Sequence, residues 1–113
     1  MKLAIIGSRN LTGISIDEYI FDGVTEIVSG GAKGIDTKAK DFAIRKGLKI
    51  VEFLPDYNLY GNAAPLKRNE KIARYADAAI ALWDGKSKGT EHTIKMFNKL
   101  GKKVTVIILK ENQ

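Results

Sequence analysis

Three short stretches of the chain combine glycine, hydroxyl and cationic residues in ways suited to holding an anion. Gly7-Ser8-Arg9 joins a residue without a side chain to a hydroxyl and to a guanidinium fork that matches phosphate geometry. Ser29-Gly30-Gly31-Ala32-Lys33-Gly34-Ile35-Asp36 carries glycines at positions 30, 31 and 34, so the backbone can turn tightly and aim several N–H groups at one point. The helical pattern that follows offers further free N–H groups and the positive end of a helix dipole. Lys33 would add charge there, and Asp36 would either match the dipole or bind sugar hydroxyls. Asp84-Gly85-Lys86-Ser87-Lys88-Gly89-Thr90 is again basic and hydroxyl-rich and also runs into a helical pattern. The second stretch reads G-G-x-x-G, which is neither the dinucleotide fingerprint nor a Walker A loop with its Gly-Lys-Ser/Thr ending.

Other candidates are weaker. Tyr57–Asn69 is a long connection for a compact domain, and such loops are often functional. Within it, Asn69 falls on the apolar side of a helical pattern and so must be bonded to something, while Arg68 faces either the site or solvent. Tyr57, Tyr60 and Trp83 could stack on a base, although packing is the commoner use of such residues. His92 is the single histidine and there is no cysteine, so no metal site, disulfide or Ser-His-Asp arrangement is expected. No cofactor is expected either.

Apolar runs that read as strands position these stretches: Lys2–Gly7, Thr25–Val28, Leu48–Phe53, Ala78–Trp83 and Lys103–Leu109. Helical stripes lie between them. Ile35, Ala39, Phe42 and Ala43 form one, ended by Gly47; Thr93, Met96, Phe97 and Leu100 form another, ended by Gly101. Pro65 precedes a third pattern over Leu66–Tyr75, and Ile14–Phe21 predicts a short helix opened by a Ser15–Glu18 capping box. Alternating strands and helices imply a three-layer, Rossmann-like α/β fold with a five-stranded parallel sheet in the order 3-2-1-4-5. Ligands bind such sheets beyond the carboxyl ends of the strands, at the point where the order reverses. All three glycine-containing stretches fall on that edge.

The 113 residues suffice for one domain spanning 1–113, and 44% hydrophobic content allows an ordinary core. The net charge of +6 comes entirely from residues 57–113, because residues 1–56 are balanced. A basic half favours anionic partners, or simply a solvated surface. The apolar run before Gly7 is too short for a signal peptide or a membrane span, which points to a cytoplasmic protein with no membrane partner.

Several of these residues also carry a family resemblance. Ser29-Gly30-x-Ala32-x-Gly34-Ile35-Asp36 with Ala39 and Ala43, Pro65-x-x-Arg68-Asn69-x-x-Ile72-Ala73, Lys88-Gly89-Thr90 and Gly101-Lys102-x-Val104 resemble the core motifs of the DprA/Smf DNA-processing proteins. The compact size, with Gly7-Ser8-Arg9, Tyr60-Gly61, Pro65 and Trp83-Asp84-Gly85, resembles the stand-alone YspA/YpsA-related branch of the SLOG superfamily more closely. The resemblance implies a nucleotide or nucleotide-derived ligand held by Gly7, Ser8, Arg9, Ser29, Gly30, Gly31, Ala32, Lys33, Gly34, Asp36, Arg68, Asn69, Asp84, Ser87, Gly89 and Thr90. Two other activities occur among the relatives. The LOG branch hydrolyses nucleoside monophosphates at the N-glycosidic bond with a glutamate, whose position Thr93 occupies here. The DprA branch binds single-stranded DNA; this chain has Lys40 where DprA-like motifs usually have histidine. Homodimers or higher homo-oligomers are common in the group.

Overall fold

The computed structural model describes residues 1–7, 15–30 and 34–109. Five parallel strands, β1 (Lys2–Gly7), β2 (Glu26–Ser29), β3 (Lys49–Glu52), β4 (Ala78–Trp83) and β5 (Lys103–Ile108), form one sheet in the order β3-β2-β1-β4-β5. The expected Rossmann-like α/β architecture is therefore the observed one. The central strands read as near-continuous apolar runs because helices cover both of their faces. Leu3, Ala4 and Ile5 on β1 are fully buried, whereas every residue of the edge strand β5 retains some exposure.

Among the described residues, four α-helices lie between the strands: α1 (Ile35–Lys46), α2 (Tyr57–Tyr60), α3 (Ala64–Tyr75) and α4 (Lys88–Lys99). The two sheet faces have separate cores. Leu3, Ile5, Ile27, Ile80 and Leu82 pack with Ile35, Ala39, Phe42 and Ala43 of α1. Ala4, Val28 and Ala79 pack on the other face with Ile72 and Ala73 of α3 and Phe97 of α4. The alternation of side chains along each strand sends neighbouring residues to these opposite cores.

Two expectations need correction. Residues 15–21 form one 3-10 turn, Asp17–Tyr19, whose N-cap is Ile16 with no side-chain cap bond, so the Ser15–Glu18 capping box is not made. Asp17 instead pairs with Arg45 of α1 through two bonds of 2.9 Å, tying the turn to the helix layer. The connection starting at Tyr57 is not an irregular loop. It holds α2, capped by Asp56 accepting from the Leu59 N–H, then a 3-10 turn over Gly61–Ala63, and α3 starts at Ala64. Pro65 thus lies inside the first turn of α3, where a missing N–H costs nothing.

The amino end of the sheet is tied by polar contacts. The Tyr75 hydroxyl donates to the Glu26 carboxylate, which also pairs with Lys49 at 3.7 Å. Lys2 lies 4.1 Å above the Tyr75 ring, and its backbone N–H donates to Asp77 at 2.8 Å. Glu26 is buried, and a buried carboxylate needs such partners.

Candidate functional site

At the opposite, carboxyl end, a cavity of about 460 Å³ opens between the ends of β1, β2 and β4. This is the point where the strand order reverses, so chain connectivity rather than any single residue creates the cleft. β1 contributes Ile6 and Gly7, Gly30 follows β2, and α1 contributes Asp36 from its first turn. The side facing α3 is lined by Pro65, Leu66, Arg68, Asn69 and Ile72. Asp84, Ser87, Gly89, Thr90 and Thr93 complete it from the end of β4 and the start of α4. The volume suits a small molecule.

Nine of the residues expected from sequence therefore share one cavity: Gly7, Gly30, Asp36, Arg68, Asn69, Asp84, Ser87, Gly89 and Thr90. Ser29 and Gly34 do not line it. Ser29 is fully buried at the end of β2, and its carbonyl accepts from the Phe53 N–H at 2.9 Å. Gly34 is the N-cap of α1 at φ +78°, with its carbonyl accepting from Lys38. Ser8, Arg9, Gly31, Ala32 and Lys33 lie outside the described residues.

Two glycines are required by their neighbours. A Cβ on Gly7 would stand 2.5 Å from Cγ1 of Ile35, and one on Gly30 would stand 2.6 Å from Nη1 of Arg68. Gly7 lets α1 pack against the end of β1. Gly30 leaves space for the Arg68 guanidinium, whose Nη1 donates to the Gly30 carbonyl at 2.9 Å. Arg68 Nε donates to Oδ1 of the adjacent Asn69 at 2.8 Å. The polar residue on the buried face of α3 thus has its partner, and together Arg68 and Asn69 tie α3 to the glycine-containing loop.

The loop before α4 is ordered by its own side chains. Asp84 Oδ1 accepts from the N–H groups of Lys86 and Ser87, both at 2.8 Å, closing a turn that passes through Gly85 at φ +80°. Ser87 then caps α4: its hydroxyl accepts from the Thr90 N–H and its carbonyl from the Glu91 N–H. The N–H groups of Lys86, Ser87, Thr90 and Glu91 are therefore satisfied internally. Gly89 and Thr90, in the first turn of α4, line the cavity beside this cap.

The sequence did not single out Pro65, Leu66, Ile72 or Ile6 as lining residues. Their signal, an apolar patch at the start of α3 opposite the end of β1, exists only once the sheet order is known. Thr93 also lines the cavity, and its hydroxyl donates to the Gly89 carbonyl at 2.9 Å. Glu91 pairs with Lys95 at 3.7 Å and is not among the lining residues. Nor are the aromatic candidates. Trp83 donates to the Ser87 carbonyl at 3.0 Å, Tyr60 lies beneath Lys71, and Tyr57 is exposed. His92 also lies outside the lining.

No curated protein and no solved structure gives a significant match to the chain. A family match does exist, over residues 1–59, and it takes in β1, β2, α1 and β3. The half of the cavity built by α3 and α4 lies beyond it. With just over half of its length matched, the chain belongs to the DNA recombination-mediator protein A family.

Proposed function

We propose that residues 1–113 form a binding unit for a nucleotide or nucleotide-derived small molecule, seated in the cavity at the carboxyl edge of the sheet. The carrying observation is convergence: lining residues come from three separate glycine-containing segments and from the first turns of both α1 and α4. Lone glycine turns are common, but helix N-termini that share one cleft with an arginine suit an anionic ligand. The phosphate would lie against Gly89, Thr90 and Arg68, with Ser8, Arg9 and Lys33 as further contacts. The carboxylates of Asp36 and Asp84 repel phosphate, so they suit the hydroxyl-bearing end of the ligand. The Gly7-Ser8-Arg9, Tyr60-Gly61, Pro65 and Trp83-Asp84-Gly85 pattern favours the YspA/YpsA-related branch, acting in the cytoplasm. Among the described residues, no helix is long and apolar enough to cross a membrane.

A second reading, single-stranded DNA binding, is favoured by family membership and by the charge of the α3/α4 layer. Those two helices carry Lys67, Arg68, Lys71, Arg74, Lys88, Lys95 and Lys99 against Glu70 and Glu91. A thermal-shift panel with AMP, ADP, NAD, ADP-ribose, cyclic nucleotides and a single-stranded oligonucleotide at two salt concentrations separates the two. Saturation at about 100 times the dissociation constant adds about 2.7 kcal/mol, a shift easily seen in a small domain. A salt-tolerant shift with one nucleotide supports the small-molecule site. Stabilisation by the oligonucleotide alone, lost in salt, would replace it with backbone binding.

A further inference from the structure

Lys102 closes two helices at once. Its backbone N–H donates to the Phe97 carbonyl at 2.9 Å, just after Gly101, at φ +70°, donates to the Asn98 carbonyl; together they end α4. Its ammonium donates to the carbonyls of Ala73, Arg74 and Ala76 at 2.7, 2.8 and 2.7 Å, at the C-terminal end of α3. An ammonium has three N–H donors, and all three are used. Their acceptors are at the end of a helix, where carbonyls lack intrahelical partners and the dipole is negative.

The two helices joined in this way reach the cavity with their other ends. α3 supplies Arg68 and Asn69, and α4 supplies Gly89 and Thr90. Arg68 lies five residues before Ala73, a distance of roughly 7.5 Å along a stiff helix. A shift of α3 at the ammonium is therefore transmitted to the guanidinium. There it matters, because Arg68 must meet the Gly30 carbonyl at 2.9 Å and Asn69 Oδ1 at 2.8 Å within the space that Gly30 leaves.

We propose that Lys102 is a positioning residue for the cavity: by gripping the end of α3 from the end of α4, it sets where Arg68 and Asn69 stand. The proposal rests on the ligand site above only in its binding measurement. Its test compares wild type, Lys102→Met, Lys102→Arg and, as a control, Lys103→Met, the exposed neighbour on β5. NMR signals of the Arg68 Nε–H, the Asn69 side-chain amide and the Gly30 N–H are followed in each folded variant. Lys102→Met is expected to move all three signals, Lys102→Arg to restore them towards wild type, and Lys103→Met to leave them alone. In titrations with AMP, Lys102→Met is expected to bind about tenfold more weakly at a temperature where it is fully folded. Unmoved signals in folded Lys102→Met would overturn the proposal and leave Lys102 only a helix-end stabiliser. Should Lys102→Met fail to fold, Lys102→Gln, which keeps two donors without charge, takes its place under the same criteria. Absence of AMP binding by wild type would count against the ligand site alone, and the NMR comparison would still decide the role of Lys102.

Discussion

The two ends of the sheet are built differently. At the amino end, Tyr75, Glu26, Lys49, Lys2 and Asp77 pair with one another across β1, β2, β3 and the end of α3. At the carboxyl end, polar residues from as many elements surround a cavity instead. Both ends carry charge, and the carboxyl end holds the cavity. In a doubly wound sheet an opening at this end follows from connectivity: the chain leaves β1 towards β2 and β4 towards β5, in opposite directions, so the connections part over the carboxyl ends. Polar residues at the amino end are thus free to serve stability, whereas those at the carboxyl end order their loops and, in the proposed function, also meet the ligand.

Substitutions can separate the two roles. The largest loss of stability is expected for Gly7→Ala. The added Cβ meets Ile35, which is 1% exposed and cannot withdraw, so overpacking should cost about 1–3 kcal/mol in urea unfolding. Gly30→Ala makes as close a contact, but with the end of a flexible arginine. It should cost under about 1 kcal/mol of stability while displacing Arg68 and weakening nucleotide binding about tenfold, measured by calorimetric titration. Equal stability losses for the two variants would show that Arg68 is as fixed as a core side chain.

At the amino end the pattern should reverse. Tyr75→Phe removes the donor to buried Glu26 and should lower the urea midpoint at neutral pH without changing nucleotide affinity. The bond to Glu26, with burial, raises the Tyr75 pKa above its ordinary value of 10.0. Its stabilisation is therefore fully present below that pH and lost as pH rises through the higher folded value. Wild type should lose stability more steeply than Tyr75→Phe in urea midpoints taken from pH 8 to pH 11. Parallel curves would remove Tyr75 from the network. The smallest effect is expected for Asp17→Asn. Arg45 holds the Asp17 carboxyl below its ordinary 3.8, so the pair contributes above that value and fades as pH falls through the folded one. Both side chains are well exposed, and the change in melting temperature should shrink further in high salt.

The strand order and nine of the cavity residues were legible because glycines, hydroxyls and the switch point all mark the same edge. The same signals did not separate loop-building groups from cavity-lining ones. Ser29 and Gly34 have the right neighbours in sequence but are spent on the end of β2 and the cap of α1. Asp84 and Ser87 line the cavity while also ordering their own turn. Tyr57–Asn69 reads as a long connection because Tyr57-Asn58-Leu59-Tyr60 is too short to show a helical period, and Asp56 as its cap is visible only in three dimensions. Leu66 and Ile72 joined the lining through the packing of α3, which no local pattern encodes.

Site occupancy can be observed directly by following backbone amide signals during titration with the nucleotide that stabilises the fold most. Binding at the carboxyl edge predicts saturable shifts at Gly30, Asp36, Asn69, Gly89 and Thr90, unchanged by added salt, with Tyr75 and Glu26 unmoved. Shifts confined to the outer lysines of α3 and α4, such as Lys71, Lys95 and Lys99, would contradict it.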